Sequence, residues 1–401
     1  MRTRLAHILA LPALGLAIGL AAARPARACG GMVFPEHSAR VGGMSQQELL
    51  VAFTPDQTVL LASAGYKGAT GAPAFILPLP AEPTEVVQAD PAVFLALDEL
   101  TAPEVRITVA DSGHHGGLCG ATAAKSGGDF DDGGGGDVMV LQRGATADYD
   151  YVVVGGDTGE AIDAWLTAAG YALPKDYADA LAPYVAAGNF IFAAQVKSDA
   201  EAGELAPIEL HLPPADPAGF AIPFGLAAQS LPPGESLTIT TYLLAGGGLA
   251  PANYAAAPLD PDAVTAVDDT TSNYPSVYMD AVAAGGWVID ASLGGFDGAE
   301  LVAGFDAALE AGRAADGTAR DQVVGFTDRL GLGDARLTRL RTTLAADALH
   351  DMTLKKVTGV DQSRTFAVTY REPVDGCSVG QRRVPLVVLL VPLLLLLRRR
   401  R

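Results

Sequence analysis

"DYDYVVVGGDTGEAIDAWLTAAGYALP", Asp148–Pro174, sets a β-branched run directly against a helical period. Tyr151–Val154 reads as a strand, because tyrosine and valine pack well on a pleated surface. Gly155-Gly156 ends it, and a helix is expected to begin near Asp157 or Thr158, residue types that cap helices. Ala161, Ile162, Trp165 and Leu166 then share one helical face, and Gly170 closes the run. A glycine turn between strand and helix raises the question of nucleotide binding. The Gly-x-Gly-x-x-Gly spacing is absent, so the stretch reads as a capped helix that packs Trp165 into a core. Strand and helix in one short span, with more strands on either side, point to an α+β fold.

Working outward, the same signals recur. Before this stretch, "ELLVAFT", "QTVLLASAGY", "APAFILPLP" and "EVRITVA" are short apolar runs bounded by proline and glycine, and they predict strands. "DPAVFLALDEL" inserts a helix, with Asp90 as N-cap and Pro91 at its first position. After it come a helix in "PKDYADALAPYVAAG" and strands in "NFIFAAQV", "APIELHL", "FAIPFGLA" and "ESLTITTYLLA". Residues 255–273 are acidic, rich in alanine and proline, and read as a linker or long loop that follows an α+β body of residues 29–254. Residues 274–372 read as helix-rich: Leu301, Val302, Phe305 and Leu309 form one stripe, and Leu337, Leu340 and Leu344 another behind Asp334 as N-cap. "RTFAVTY" is the last expected strand.

Residues 112–137 break the pattern, with ten glycines and almost nothing to bury, and predict a mobile loop. Asp129, Asp131, Asp132 and Asp137 offer carboxylates for Ca²⁺, the one cofactor the sequence raises, but without the order of an EF-hand or its closing glutamate. His114, His115 and Cys119 carry donors suited to zinc, yet no second ligand pair completes such a site.

The two ends read as processing signals. Arg2 and Arg4 precede an apolar run from Leu5 to Ala23, and Ala26-Arg27-Ala28 suits a signal peptidase, so residues 1–28 are expected to be removed and Cys29 to lead the exported chain. Residues 1–28 and 382–401 hold ten of the 27 basic residues and none of the 46 acids, so the rest carries 17 basic residues and a net charge of −29, against −19 for the whole chain. That charge disfavours nucleic acid and anionic lipid as partners. Of three cysteines, Cys29 and Cys119 are expected to pair in an oxidising compartment, which leaves Cys377 single. In the closing segment 375–401, Val384–Leu397 holds 14 uncharged residues. As a helix these span about 21 Å at 1.5 Å per residue, short of the roughly 30 Å hydrocarbon layer. Pro385 and Pro392 weaken a permanent span further.

Gly376-Cys377-Ser378, the apolar run and Arg398–Arg401 resemble the C-terminal sorting signals of myxobacterial surface proteins. The resemblance implies a sorting protease as partner, cleavage near Cys377, a lipid on that cysteine, and a transient hold in the inner membrane on the way to the cell surface. Arg382 and Arg383 depart from that pattern. A second resemblance spans the body: "ACGGMVF" at Ala28–Phe34, "FILPLPAEPTEV" at Phe75–Val86, "YDYVVV" with the Trp165 helix, "LAPYVAAGNFIFAAQV" at Leu181–Val196, "PANY" at Pro251–Tyr254 and "LTRLRTTL" at Leu337–Leu344. In that order they resemble a bacterial exported family known as domain of unknown function 2330. It implies export and membrane association, and no catalytic residues.

Catalysis stays undecided on the sequence. There is no Gly-x-Ser-x-Gly, His-Glu-x-x-His or Walker pattern, and acid pairs are too abundant to mark a glycosidase. His211, in "IELHLPP", is the best single candidate for a base, although a strand histidine is expected to point outward. The expectation is an exported, non-catalytic binding or adhesion protein at the cell surface, the alternative an exported hydrolase.

Overall fold

A computed structural model describes residues 31–35, 43–67, 73–109, 138–169, 171–173, 175–197, 206–232, 234–315, 317–358 and 364–371. In chain order the strands and helices are β1 (Gly31–Pro35), β2 (Gly43–Phe53), β3 (Thr58–Lys67), β4 (Ala74–Leu79), β5 (Glu85–Gln88), α1 (Ala92–Thr101), β6 (Glu104–Val109), β7 (Val138–Ala145) and β8 (Tyr149–Gly156). Then come α2 (Gly159–Ala168), β9 (Tyr171–Ala172), α3 (Tyr177–Ala186), β10 (Phe190–Val196), β11 (Ile208–Leu212), β12 (Ala221–Ile222), β13 (Ser236–Ala245) and β14 (Gly248–Pro251). The chain continues through α4 (Tyr274–Val282), β15 (Val288–Phe296), α5 (Gly298–Glu310), α6 (Arg320–Leu330), β16 (Ala335–Ala345), β17 (Met352–Val357) and β18 (Thr365–Tyr370). The α+β class expected from the sequence is the class observed.

Two large sheets lie face to face between two layers of helices. The first runs β15-β16-β13-β2-β3-β11-β5, antiparallel except where β13 meets β2; the second runs β7-β8-β10-β4-β1-β9. Side-chain alternation explains the layering. Odd positions of β2 (Leu49, Val51) and even positions of β3 (Leu60, Ala62) meet Phe75, Leu77, Val153 and Phe192 of the second sheet in a common core. Leu50, Ala52, Val59 and Leu61 point the other way, onto α1, α5 and α6. On the far side Ile76, Val152, Val154 and Ile191 pack under Ile162, Leu166 and Leu181 of α2 and α3. Residues on both sides of 255–273 build the first sheet, and that segment is itself tied down, with Ala257 and Val264 buried beside α4.

The quoted opening stretch folds much as read. Thr158 caps α2 through the Ala161 N–H, and Ile162 and Leu166 are buried while Trp165 is half-buried. Asp90 accepts the Ala92 N–H at 2.8 Å and so starts α1 one residue beyond Pro91.

Two expectations fail. Leu337, Leu340 and Leu344 lie on a strand, β16, not a helix. The sheet is covered on both faces, so β16 carries buried leucines on both sides: Leu337 faces the helices, while Leu340 and Leu344 face the second sheet. A 3-then-4 spacing of leucines is the signature of one helical face, and a strand buried on both sides produces it as well. "FAIPFGLA" keeps only Ala221–Ile222 as strand; Gly225–Ser230 is a 3₁₀ turn, because Pro223 has no N–H to continue the ladder.

The remaining two-stranded unit stands apart. β18 pairs β6 in parallel through six residue pairs, from Thr365↔Glu104 to Tyr370↔Val109. Its inner side chains, Val105, Phe366 and Val368, pack on α4, and Phe366 meets the Tyr274 ring at 5.3 Å.

Candidate functional site

Most positions singled out from the sequence fall outside the described residues. Cys29, Cys119 and Cys377, the carboxylates Asp129, Asp131, Asp132 and Asp137, and His114 and His115 all lie there. Among the described residues no group of three or more His, Cys, Asp or Glu is placed to hold a metal, and no helix is long and apolar enough to cross a membrane.

The phrases that carry the family resemblance map onto interior joints. In "YDYVVV", the buried Tyr149 donates its hydroxyl to Ala206 O at 2.7 Å, and Tyr151 stacks on Phe192 at 5.7 Å. Just before it, Asp148 and Gln88 bond reciprocally, which latches the β7–β8 turn to β5 across the two sheets. Ser230 brackets Met32 of β1, accepting its N–H at 2.7 Å and donating to its carbonyl at 3.1 Å. Asn253 of "PANY" donates to Asp351 O and accepts the Thr353 N–H, while Tyr254 bonds the backbone of His350 and stacks on its ring at 3.9 Å.

Tyr184, from "LAPYVAAG", donates to Asp351 Oδ1 at 2.6 Å, and the same oxygen accepts the Gly225 N–H at 2.8 Å. Burial first, and then Asp351, hold the Tyr184 phenol far above its ordinary range. Tyr184→Phe is expected to cost about 1–2 kcal/mol, since Asp351 loses one donor but keeps the backbone one. Urea unfolding of the purified variant checks this; a loss under about 0.3 kcal/mol would remove the joint.

"LTRLRTTL" supplies the densest buried charge. Asp290, on β15, faces both arginines of this phrase: Arg341 Nε at 2.8 Å and Arg339 Nε at 3.3 Å. Arg341 also donates to the Tyr274 hydroxyl at 2.6 Å and lies 3.9 Å over the Tyr278 ring, while Arg339 reaches Asp98 at 2.8 Å. Burial opposes the charge on Arg339, yet Tyr242, Asp98, Asp290 and Glu48 around it together hold it protonated.

His211 is buried, not outward. Its strand, β11, turns Ile208, Leu210 and Leu212 toward the second sheet, so Glu209 and His211 face α6 and are 0% and 2% exposed. Nε2 lies 2.7 Å from Glu209 Oε1, and Nδ1 lies 2.8 Å from Gln57 Oε1. Arg329, in the last turn of α6, forks onto both Glu209 oxygens at 3.0 and 2.6 Å, and Gln57 Nε2 donates to Arg329 O at 2.7 Å. Burial would raise the Glu209 carboxyl, but the bonds from His211 and Arg329 outweigh it and hold the group below its usual range. Alternation sets His211 opposite the three apolar residues of its strand, and only the cover of α6 on that face makes it buried.

A groove of about 510 Å³ opens where β7 begins, β8 ends and β10 begins. Val138, Met139, Val185 and Phe190 line it, with Gly155, Gly156 and Gly188 beneath and Asp157 and Asn189 as its polar side chains. Met139 is 63% exposed. The glycine turn of the opening stretch thus forms its floor. A Cβ on Gly155 would meet Leu141 and Phe190 at 3.5–3.8 Å, an ordinary contact, so a Cβ fits there without displacing either.

No curated protein sequence matches the chain. Among solved structures, baculovirus P35 is similar at 12% identity and a TM-score of 0.30 over 50% of this chain, too slight a likeness to speak for the fold; the match spans 64% of that protein's chain. A family profile described as "Uncharacterized protein conserved in bacteria" covers residues 23–278. Five of the six resembling phrases lie inside it, and "LTRLRTTL" lies beyond, on the strand that completes the same sheet. With well over half of its length matched, the chain belongs to this bacterial family, DUF2330.

Proposed function

We propose that this protein is exported and displayed at the cell envelope, where its body acts as a non-catalytic binding module. In this reading a signal peptidase removes residues 1–28, and a sorting protease processes the tail near Cys377, where a lipid holds the protein to the membrane. The observation that supports binding is the division of polar groups. The tyrosines and arginines of the family phrases are bonded inside the body, to Ala206 O, Asp351 and Asp290, whereas the groove is built from glycine and apolar side chains with one carboxylate, Asp157. Such a concavity suits an apolar ligand, neutral or cationic, and an acidic body repels anions.

Two measurements test this. Nile red, an uncharged apolar probe, should bind the purified body and raise its melting temperature, and Gly155→Val should weaken that binding about tenfold or more while leaving the fold intact. Broad ester, peptide and glycan panels should show no turnover. Turnover abolished by substituting a single His or Ser would favour the exported hydrolase instead. For the tail, intact mass of the membrane fraction should show loss of the residues after Cys377 with added acyl mass; an unmodified chain ending at Arg401 would overturn the anchoring.

A further inference from the structure

The His211 corner has a hydrogen-bond pattern that only one protonation state satisfies. Gln57 donates its Nε2 to the Arg329 carbonyl, which fixes its Oε1 toward the ring; the flipped amide would set two oxygens against each other. Nδ1 therefore faces an acceptor at 2.8 Å and must carry a proton. Nε2 faces Glu209 at 2.7 Å, and that carboxylate already accepts both arms of Arg329. An ionised Glu209 can only accept, so Nε2 must carry a proton too. Both nitrogens are donors.

We propose that His211 is held as an imidazolium and that the corner is a proton-operated latch: it clasps the β2–β3 hairpin and β11 to the end of α6 while both ring protons are present, and loosens when one is lost. The charged groups around the ring are the buried Glu209 on its own strand, Arg329 on α6 and the exposed Glu85 on β5, the last paired opposite His211 and acting on Arg329. A neutral ring would place the Nδ1 lone pair against the Gln57 oxygen. The proton is lost as pH rises, so the latch weakens on the alkaline side.

Long-range ¹H–¹⁵N correlation spectra of the full exported chain test the state directly, with His211 assigned by the signal missing in His211→Gln. In neutral buffer both His211 nitrogens are expected at N–H shifts. A one-proton tautomer there would overturn the proposal. Amide exchange in Arg320–Leu330, corrected for intrinsic rates, should speed up about tenfold as the ring loses its proton, the equilibrium weight of one charge-assisted hydrogen bond. Gln57→Leu removes the Nδ1 acceptor while leaving Glu209 and Arg329 in place, and should abolish most of that pH dependence. Unchanged dependence in this variant would place the switch elsewhere and overturn the latch.

Discussion

Asp290→Ala is expected to destabilise the protein by about 3–5 kcal/mol, because it leaves two buried arginines facing one another without the carboxylate between them. At about 2.1 cal/mol/K of unfolding entropy per residue, a body of this size loses roughly 1.5 °C per kcal/mol, so the melting temperature should fall by about 4–7 °C. Arg341 keeps the Tyr274 hydroxyl and the Tyr278 ring, and Arg339 keeps Asp98, but none of these replaces the shared charge. Asp290→Leu with Arg341→Met should cost less than Asp290→Ala alone, since it leaves one arginine, Arg339, in place of two without the carboxylate. Thermal melting of the unaltered protein and the two variants decides it. A loss under about 1 kcal/mol for the single change would mean that water reaches the cluster.

Gly159→Ala should be as harmful through shape alone. A Cβ there would stand 2.2 Å from the Ala178 carbonyl oxygen and 2.9 Å from the Ala182 nitrogen. Both are backbone atoms of α3, so no side chain can swing aside and α2 must move off its partner. Overpacking of this kind costs about 1–3 kcal/mol, and more where backbone blocks relaxation. Gly219→Ala is the control: nothing lies within 4 Å of its Cβ, so a change within about 0.5 kcal/mol is expected. Equal unfolding midpoints in denaturant for the two variants would refute the close helix contact.

How far the sequence could be read depends on whether one residue's neighbours carry the signal. Tyr151–Val154, Gly155-Gly156 and Thr158 each have a local preference that agrees with the fold, and that stretch was legible. Leu337, Leu340 and Leu344 mislead because their spacing fits a helix face and a two-sided strand equally well, and only the layers above and below β16 choose between them. His211 misleads for the same reason: on a half-solvated sheet it would point to water, but here α6 covers that face. The groove was legible only as its glycine floor, since Val138 and Val185 reach it from strands and helices far apart in the chain.

The parallel pairing of β6 with β18 has a mechanical consequence. A chain tethered through residues beyond Arg371 takes any pull at the Tyr370 end of β18, whereas β6 is held from its opposite end by α1, where Arg364 and Glu104 stitch the two strands at Ala102 and Arg364. Tension therefore runs along the strands and strains all six pairs together in shear, where a hairpin would peel open one rung at a time. From β6 the force passes into α1 and on to α5, the layer packed over the first sheet. Detachment under load is then set by the height of a rupture barrier, not by the equilibrium strength of so short a ribbon.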